Sequence, residues 1–314
     1  MPNLTKDQIH TENSTDFSVW TEYREDIISL YNTYDRSNLD DHVTREFNRK
    51  VTILGYLSLL ILPSDSGGRY IGTNEPTDLW TPSEITTSAW YDVLDSSTLT
   101  ESNNFISQLN DKSGNDNHLI QTEVSNQPPI GSINGNNAIN ILNRRWLEAI
   151  AINQNLSEFA IISVQRFNSG SFANIFRTKS SDDLDSITVR RRQTGDNLNN
   201  IVIIDGDSSQ ISTSNVGLGV NHVYAVTYNS SIVQNRINGK DDTSLLKTGV
   251  FSLDEIRIGW ITNGGNDSTC GEFIIVPTSN ISDIQRLEGY VAWKWGIQNN
   301  LDANHPYKLF APKL

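Results

Sequence analysis

Short apolar runs separated by clusters of Gly, Asn, Asp and Ser fill the chain from about Trp80 to Val276. They predict strands over residues 89–93, 105–109, 138–141, 159–165, 173–177, 186–191, 200–204, 222–228, 232–237, 255–261 and 272–276. Between them stand SGND, NGNN, TGDN, DGDSS, NGKDD and NGGND, residue types that suit left-handed and Asx turns. Many short strands with turn signals between them predict an antiparallel sandwich. Asn238–Gly239 predicts a tight hairpin. No fixed repeat period runs through the region, which argues against a propeller or a solenoid.

The period changes twice. Residues 282–296, SDIQRLEGYVAWKWG, place Ile284, Leu287, Val291, Ala292 and Trp295 on one helical stripe. Ser282 followed by Gln285 reads as a capping box, and Gly296 as a left-handed stop. One amphipathic helix therefore closes a long β region and needs a sheet to lie on. At the other end, Trp20, Tyr23, Ile27, Leu30, Tyr31 and Tyr34 keep helical spacing, and a second helix is predicted from Asn38 or Asp40 towards Leu60. This N-terminal unit is too small to bury Leu54, Leu57 and Leu60 by itself. The Pro-, Gly- and Ser-rich stretch 63–82 predicts a boundary, with an arm and helical unit over 1–76 and a sandwich over 77–314.

Composition narrows the function classes. The formal net charge of −13 opposes non-specific nucleic-acid binding, which needs Lys and Arg against phosphate. A single cysteine, Cys270, excludes an intrachain disulfide and reads as a buried small residue. The polar N-terminus carries no apolar signal core, and the apolar run 51–63 is too short for a bilayer span.

The segments AWYDVLDSSTLT (89–100), LNDKSGNDNHLIQ (109–121), QPPI (127–130) and NGNNAINI (134–141), with the close at 271–308, resemble the concanavalin A-like lectin/glucanase superfamily in its laminin-G-like branch. The resemblance covers about residues 80–314. It implies a mainly β, two-sheet antiparallel jelly-roll sandwich with a C-terminal amphipathic helix, preceded here by a small α-helical unit. It also implies that the first and last segments of the sandwich lie near each other.

Fold alone does not assign chemistry. The glucanase members carry acidic residues alternating along one strand, and no such triplet is present, so the chain is not expected to be an enzyme. Asp92 and Asp95 suit Asx turns. The DKSGNDN loop offers Asp111, Asn115, Asp116 and Asn117 to a glycan or partner, and Arg190, Arg192 and Trp260 are further contact candidates. Asp111, Asn115, Asp205 and Asp207 form an oxygen-rich set that calcium could use, set against plain turn chemistry for the same residues. No other cofactor is implied. Trp20, Tyr23, Ile27, Leu54, Leu57 and Leu60 are the expected assembly interface. Trp90 and Trp295 lie on apolar patterns and are expected in the core. These features favour a virion structural or appendage protein, phage capsid- or tail-associated. Its partners would be other virion proteins, further copies of itself and host surface polysaccharide. A free-standing lectin is the alternative, and a glycoside hydrolase the third reading.

Overall fold

The computed structural model describes residues 79–142, 144–169, 172–180, 186–194, 197–204, 208–259 and 267–313. The chain divides between Thr77 and Asp78. The predicted helices of the N-terminal unit, with Trp20, Tyr23, Ile27, Leu54, Leu57 and Leu60, lie outside the described residues.

In chain order the strands are β1 (Ala89–Tyr91), β2 (Leu99–Ser102), β3 (Phe105–Leu109), β4 (Leu119–Ile120), β5 (Ile130–Ile133), β6 (Asn136–Leu142), β7 (Trp146–Leu156), β8 (Phe159–Ser169) and β9 (Phe172–Lys179). They continue with β10 (Ser186–Thr194), β11 (Asn197–Ile204), β12 (Ser208–Asn215), β13 (Asn221–Tyr228), β14 (Ile232–Ile237), β15 (Lys240–Leu246), β16 (Phe251–Gly259) and β17 (Asp267–Val276). Helix α1 spans Ile281–Lys294. Sheet one runs β15-β14-β13-β8-β17-β6-β5, with β1 pairing Phe273 to Ile275 of β17 beyond the end of β6. Sheet two runs β12-β11-β10-β9-β16-β7-β4-β3-β2. All pairings are antiparallel, giving the predicted two-sheet jelly-roll sandwich.

The sheets meet through aromatic pairs. Phe176 of sheet two crosses Phe273 of sheet one at 4.9 Å, and Phe251 crosses Phe159 at 5.1 Å. The far face of sheet one lies under α1, which packs on β8 and β13. Both faces of β13 and β17 are therefore buried along nearly their whole length, with VYAV in β13 and FIIV in β17 as their apolar runs. Ile284, Leu287, Val291, Ala292 and Trp295 are all buried, as their spacing predicts. The helix starts earlier than expected, however. Asn280 is the N-cap and accepts from Ser282 N at 2.9 Å, so Ser282 lies inside the first turn and forms no capping box.

Every predicted strand overlaps an observed one. Hairpins at Asn103–Asn104, Asn134–Gly135 and Asn238–Gly239 each carry two residues at positive φ, the conformation that a two-residue turn between twisted strands requires. The ends of the sandwich also meet: Trp80 N donates to Pro312 O at 3.2 Å, and Leu79 bridges Lys313.

Candidate functional site

Three separate segments converge where β1 of sheet one comes near the end of β7 of sheet two. The first is the approach to β1, with Ser83, Thr86, Thr87 and Ser88. The second is the loop after β3, with Lys112, Ser113 and Asn115. The third is the end of β7, with Gln154, Asn155 and Leu156. Together with Ile85 and Trp90 they enclose an open cleft of about 600 Å³. Its lining is dominated by hydroxyls and amides, with Lys112 as the single charged residue among the described residues.

The β7 wall is strained. Ala151 and Asn153 both have positive φ (61° and 57°), and Asn153 Nδ2 donates to Ala151 O at 2.9 Å. Across from them the register with β16 slips between Leu253 and Glu255. A bulge built on non-glycine left-handed residues re-aims the strand end, and such strain concentrates at functional sites. It delivers Gln154 and Asn155 to the cleft.

The loop wall is fixed by Asp111. Its Oδ1 accepts from Trp90 N and Ser113 N, each at 2.9 Å. Its Oδ2 accepts from Ser113 Oγ at 2.7 Å and Asn117 N at 3.2 Å. Asn115 Nδ2 donates to Thr87 O and Ser88 O, and Asn117 Nδ2 to Ser88 O. The loop is thereby stitched to the approach to β1.

Behind the cleft an alternating row of charges enters the core. Lys112 Nζ lies 2.6 Å from Asp95 Oδ2 and 3.2 Å from Asp92 Oδ2, and 4.6 Å above the Trp90 ring. Lys294 Nζ then joins Asp92 Oδ2 (2.8 Å) to Glu272 Oε2 (2.7 Å). Glu272 is fully buried and also accepts from the Trp90 and Trp295 indoles and from Tyr290 OH. Burial raises its carboxyl pKa against the opposing pull of Lys294. Hydrogen bonds from Lys112 and Ser97 hold Asp95 down to about 2. Burial disfavours the Lys112 charge, but Asp95 and Asp92 outweigh it and the ammonium pKa rises.

Of the sequence candidates, Asp111, Asn115, Asp116 and Asn117 do share one loop, and only Asn115 lines the cleft. Asp111 serves the loop itself. A cation bound there would have to displace four hydrogen bonds, so the calcium set of Asp111 with Asn115 fits poorly in this conformation. Among the described residues no three His, Cys, Asp or Glu side chains form a metal-holding group. Asp205, Asp207 and Trp260 lie outside the described residues. Arg190 and Arg192 are on β10, paired with β9 and β11, away from the segments that form the cleft. Asp92 and Asp95 make the expected Asx contacts, to Leu94 N and Ser97 N. Trp90, Trp295 and Cys270 are buried as expected, and burial pushes the thiol up to about 12. Sequence reading missed Lys112, Thr86, Gln154 and Asn155. Only the INQN run after Ala151 hinted at an interruption in β7.

No family model matches the chain, and no curated protein does. Among solved structures the chain is similar to domain 4 of AbnA, a GH43 extracellular arabinanase from Geobacillus stearothermophilus. That match has a TM-score of 0.44 at 14% identity and covers 63% of this chain and 98% of that one. It is also similar to the binding domain of botulinum neurotoxin DC, with a TM-score of 0.46 at 14% identity over 65% of this chain. A Trypanosoma rangeli sialidase gives 0.49 at 8% identity over 82%. The chain spans about half the length of the neurotoxin domain (51%) and 40% of the sialidase.

Proposed function

We propose that residues 77–314 form a non-enzymatic glycan-binding module of the laminin-G-like kind, with the cleft as its saccharide site. The observation that carries this reading is the cleft itself: an open groove of about 600 Å³, lined mainly by Ser, Thr, Asn and Gln, and set by a strained bulge. Saccharide hydroxyls both donate and accept, and this lining does the same. Trp90 is buried beneath Lys112, so recognition would run through hydrogen bonds at sugar edges and not through stacking on an open ring. Among the described residues no carboxylate, histidine or thiol lines the cleft, which supports binding over hydrolysis.

The chain's setting is proposed from its sequence. A virion appendage would dock through residues 1–76 to other virion proteins or copies of itself and turn the sandwich towards host polysaccharide. A free-standing lectin would use the same cleft without docking.

A glycan array probed with the full chain, followed by calorimetric titration, tests the assignment. Thr86→Ala and Asn155→Ala change exposed wall residues and should each weaken binding about three- to tenfold, the effect of losing about one hydrogen bond. Folded protein that binds no saccharide, or variants that bind as well as wild type, would count decisively against the cleft.

A further inference from the structure

Lys112, the one cation lining the cleft among the described residues, is neutralised from behind. Lys112 meets Asp95 and Asp92 and lies on the Trp90 ring, so its charge is directed into the protein. Asp92 already serves Lys294, which in turn serves Glu272. Asp95 is thus the carboxylate most fully committed to Lys112. It is also held in place, since its Oδ1 accepts from Ser97 N at 3.1 Å and Ser97 Oγ at 2.6 Å.

We infer that Asp95 is a specificity-determining residue that holds Lys112 away from the ligand and restricts the cleft to uncharged saccharides. This rests on the glycan reading above. An anionic sugar entering the cleft would meet a cation whose charge is already compensated, within a chain whose formal net charge is −13. The surrounding field then opposes sulfate and uronate groups, while Ser, Thr, Asn and Gln bond equally well to a neutral sugar. Asp95 does not line the cleft, and its role acts through Lys112.

Asp95→Asn keeps an oxygen for the Ser97 contacts and removes the charge, leaving Lys112 and Lys294 to share Asp92. The test uses matched polysaccharides: dextran with dextran sulfate, and neutral galactan with its sulfated counterpart. Wild type should bind the neutral member of at least one pair and bind its sulfated partner more weakly. D95N should keep the neutral affinity and gain about two- to fivefold on the sulfated partner, the scale of one exposed ion pair. The gain should fade as salt rises and vanish in D95N combined with Lys112→Met. Wild type that prefers the sulfated member, or D95N without any gain, overturns the Asp95 role while leaving glycan binding intact. Folded wild type that binds neither these pairs nor any member of the glycan array overturns the glycan reading itself, and this inference with it.

Discussion

His222 shows how a single side chain can carry a pH signature. On β13 it stands opposite Gln165 of β8, on the face of sheet one that meets sheet two. Its Nδ1 lies 3.3 Å from Asn238 Nδ2, while its Nε2, both amide atoms of Gln165 and Ser163 Oγ have no hydrogen-bond partner in the structure. Burial lowers the imidazole pKa from 6.5 to about 4. Between those values the unfolded chain binds a proton that the folded chain refuses. Stability should therefore fall as pH drops from 6.5 towards 4, by about 3 kcal/mol in all for this residue. Urea unfolding of wild type and His222→Phe at pH 7, 5.5 and 4.2 isolates the effect as a difference. Parallel pH profiles would refute it. Sequence reading placed His222 in the strand 222–228, but gave no sign of its burial. The surroundings of Glu272 were likewise not legible, because its partners Trp90 and Trp295 lie 182 and 23 residues away.

Element β17 carries the feature that links core to cleft. Its register against β8 slips between Cys270 and Phe273. The bulge brings Glu272 to the helix side, where the indoles, Tyr290 and Lys294 meet it. Gly271 is required there: a Cβ on it would sit 2.9 Å from the ring of Trp295, which is fully buried and has nowhere to move. Gly271→Ala should destabilise the protein by about 1–3 kcal/mol, the usual penalty for overpacking. Chemical denaturation should show a lower midpoint at unchanged slope, and an unchanged midpoint would mean that the helix end yields. The elements the sequence revealed include the strands buried on two faces, β8, β13 and β17, each of which holds a dense apolar stretch. Of the six it missed, five are short or polar. β12 and β15 are sheet edges, and edge strands are kept polar against self-pairing. β7 is among the longest strands, but its left-handed Ala151 and Asn153 break the alternation that marks a strand.

At the scale of the molecule, the sandwich has its own core, two antiparallel sheets and a tail that returns to Trp80, so a chain of residues 78–314 should fold by itself. The fold class was legible because turn chemistry and strand spacing repeat over the whole region. The cleft was not, because it draws on segments near residues 83–90, 112–115 and 154–156 that no local pattern connects. If residues 1–76 are the assembly handle, the full chain should sediment as a symmetric oligomer and the 78–314 chain as a monomer. The two should then bind a soluble oligosaccharide with the same affinity per site, since the cleft lies wholly in the sandwich. On a glycan-coated surface they should part. An open polar cleft binds weakly one site at a time, and linking several can raise avidity about 10²–10⁴-fold without a new contact. Surface plasmon resonance on immobilised polysaccharide should therefore show slow release for the full chain and rapid release for residues 78–314. Two monomers with equal release would remove the docking role of 1–76 and leave a free-standing lectin. An oligomeric 78–314 chain would move the interface onto the sandwich, where Val124, Ile150 and Leu246 are the most exposed large apolar side chains among the described residues.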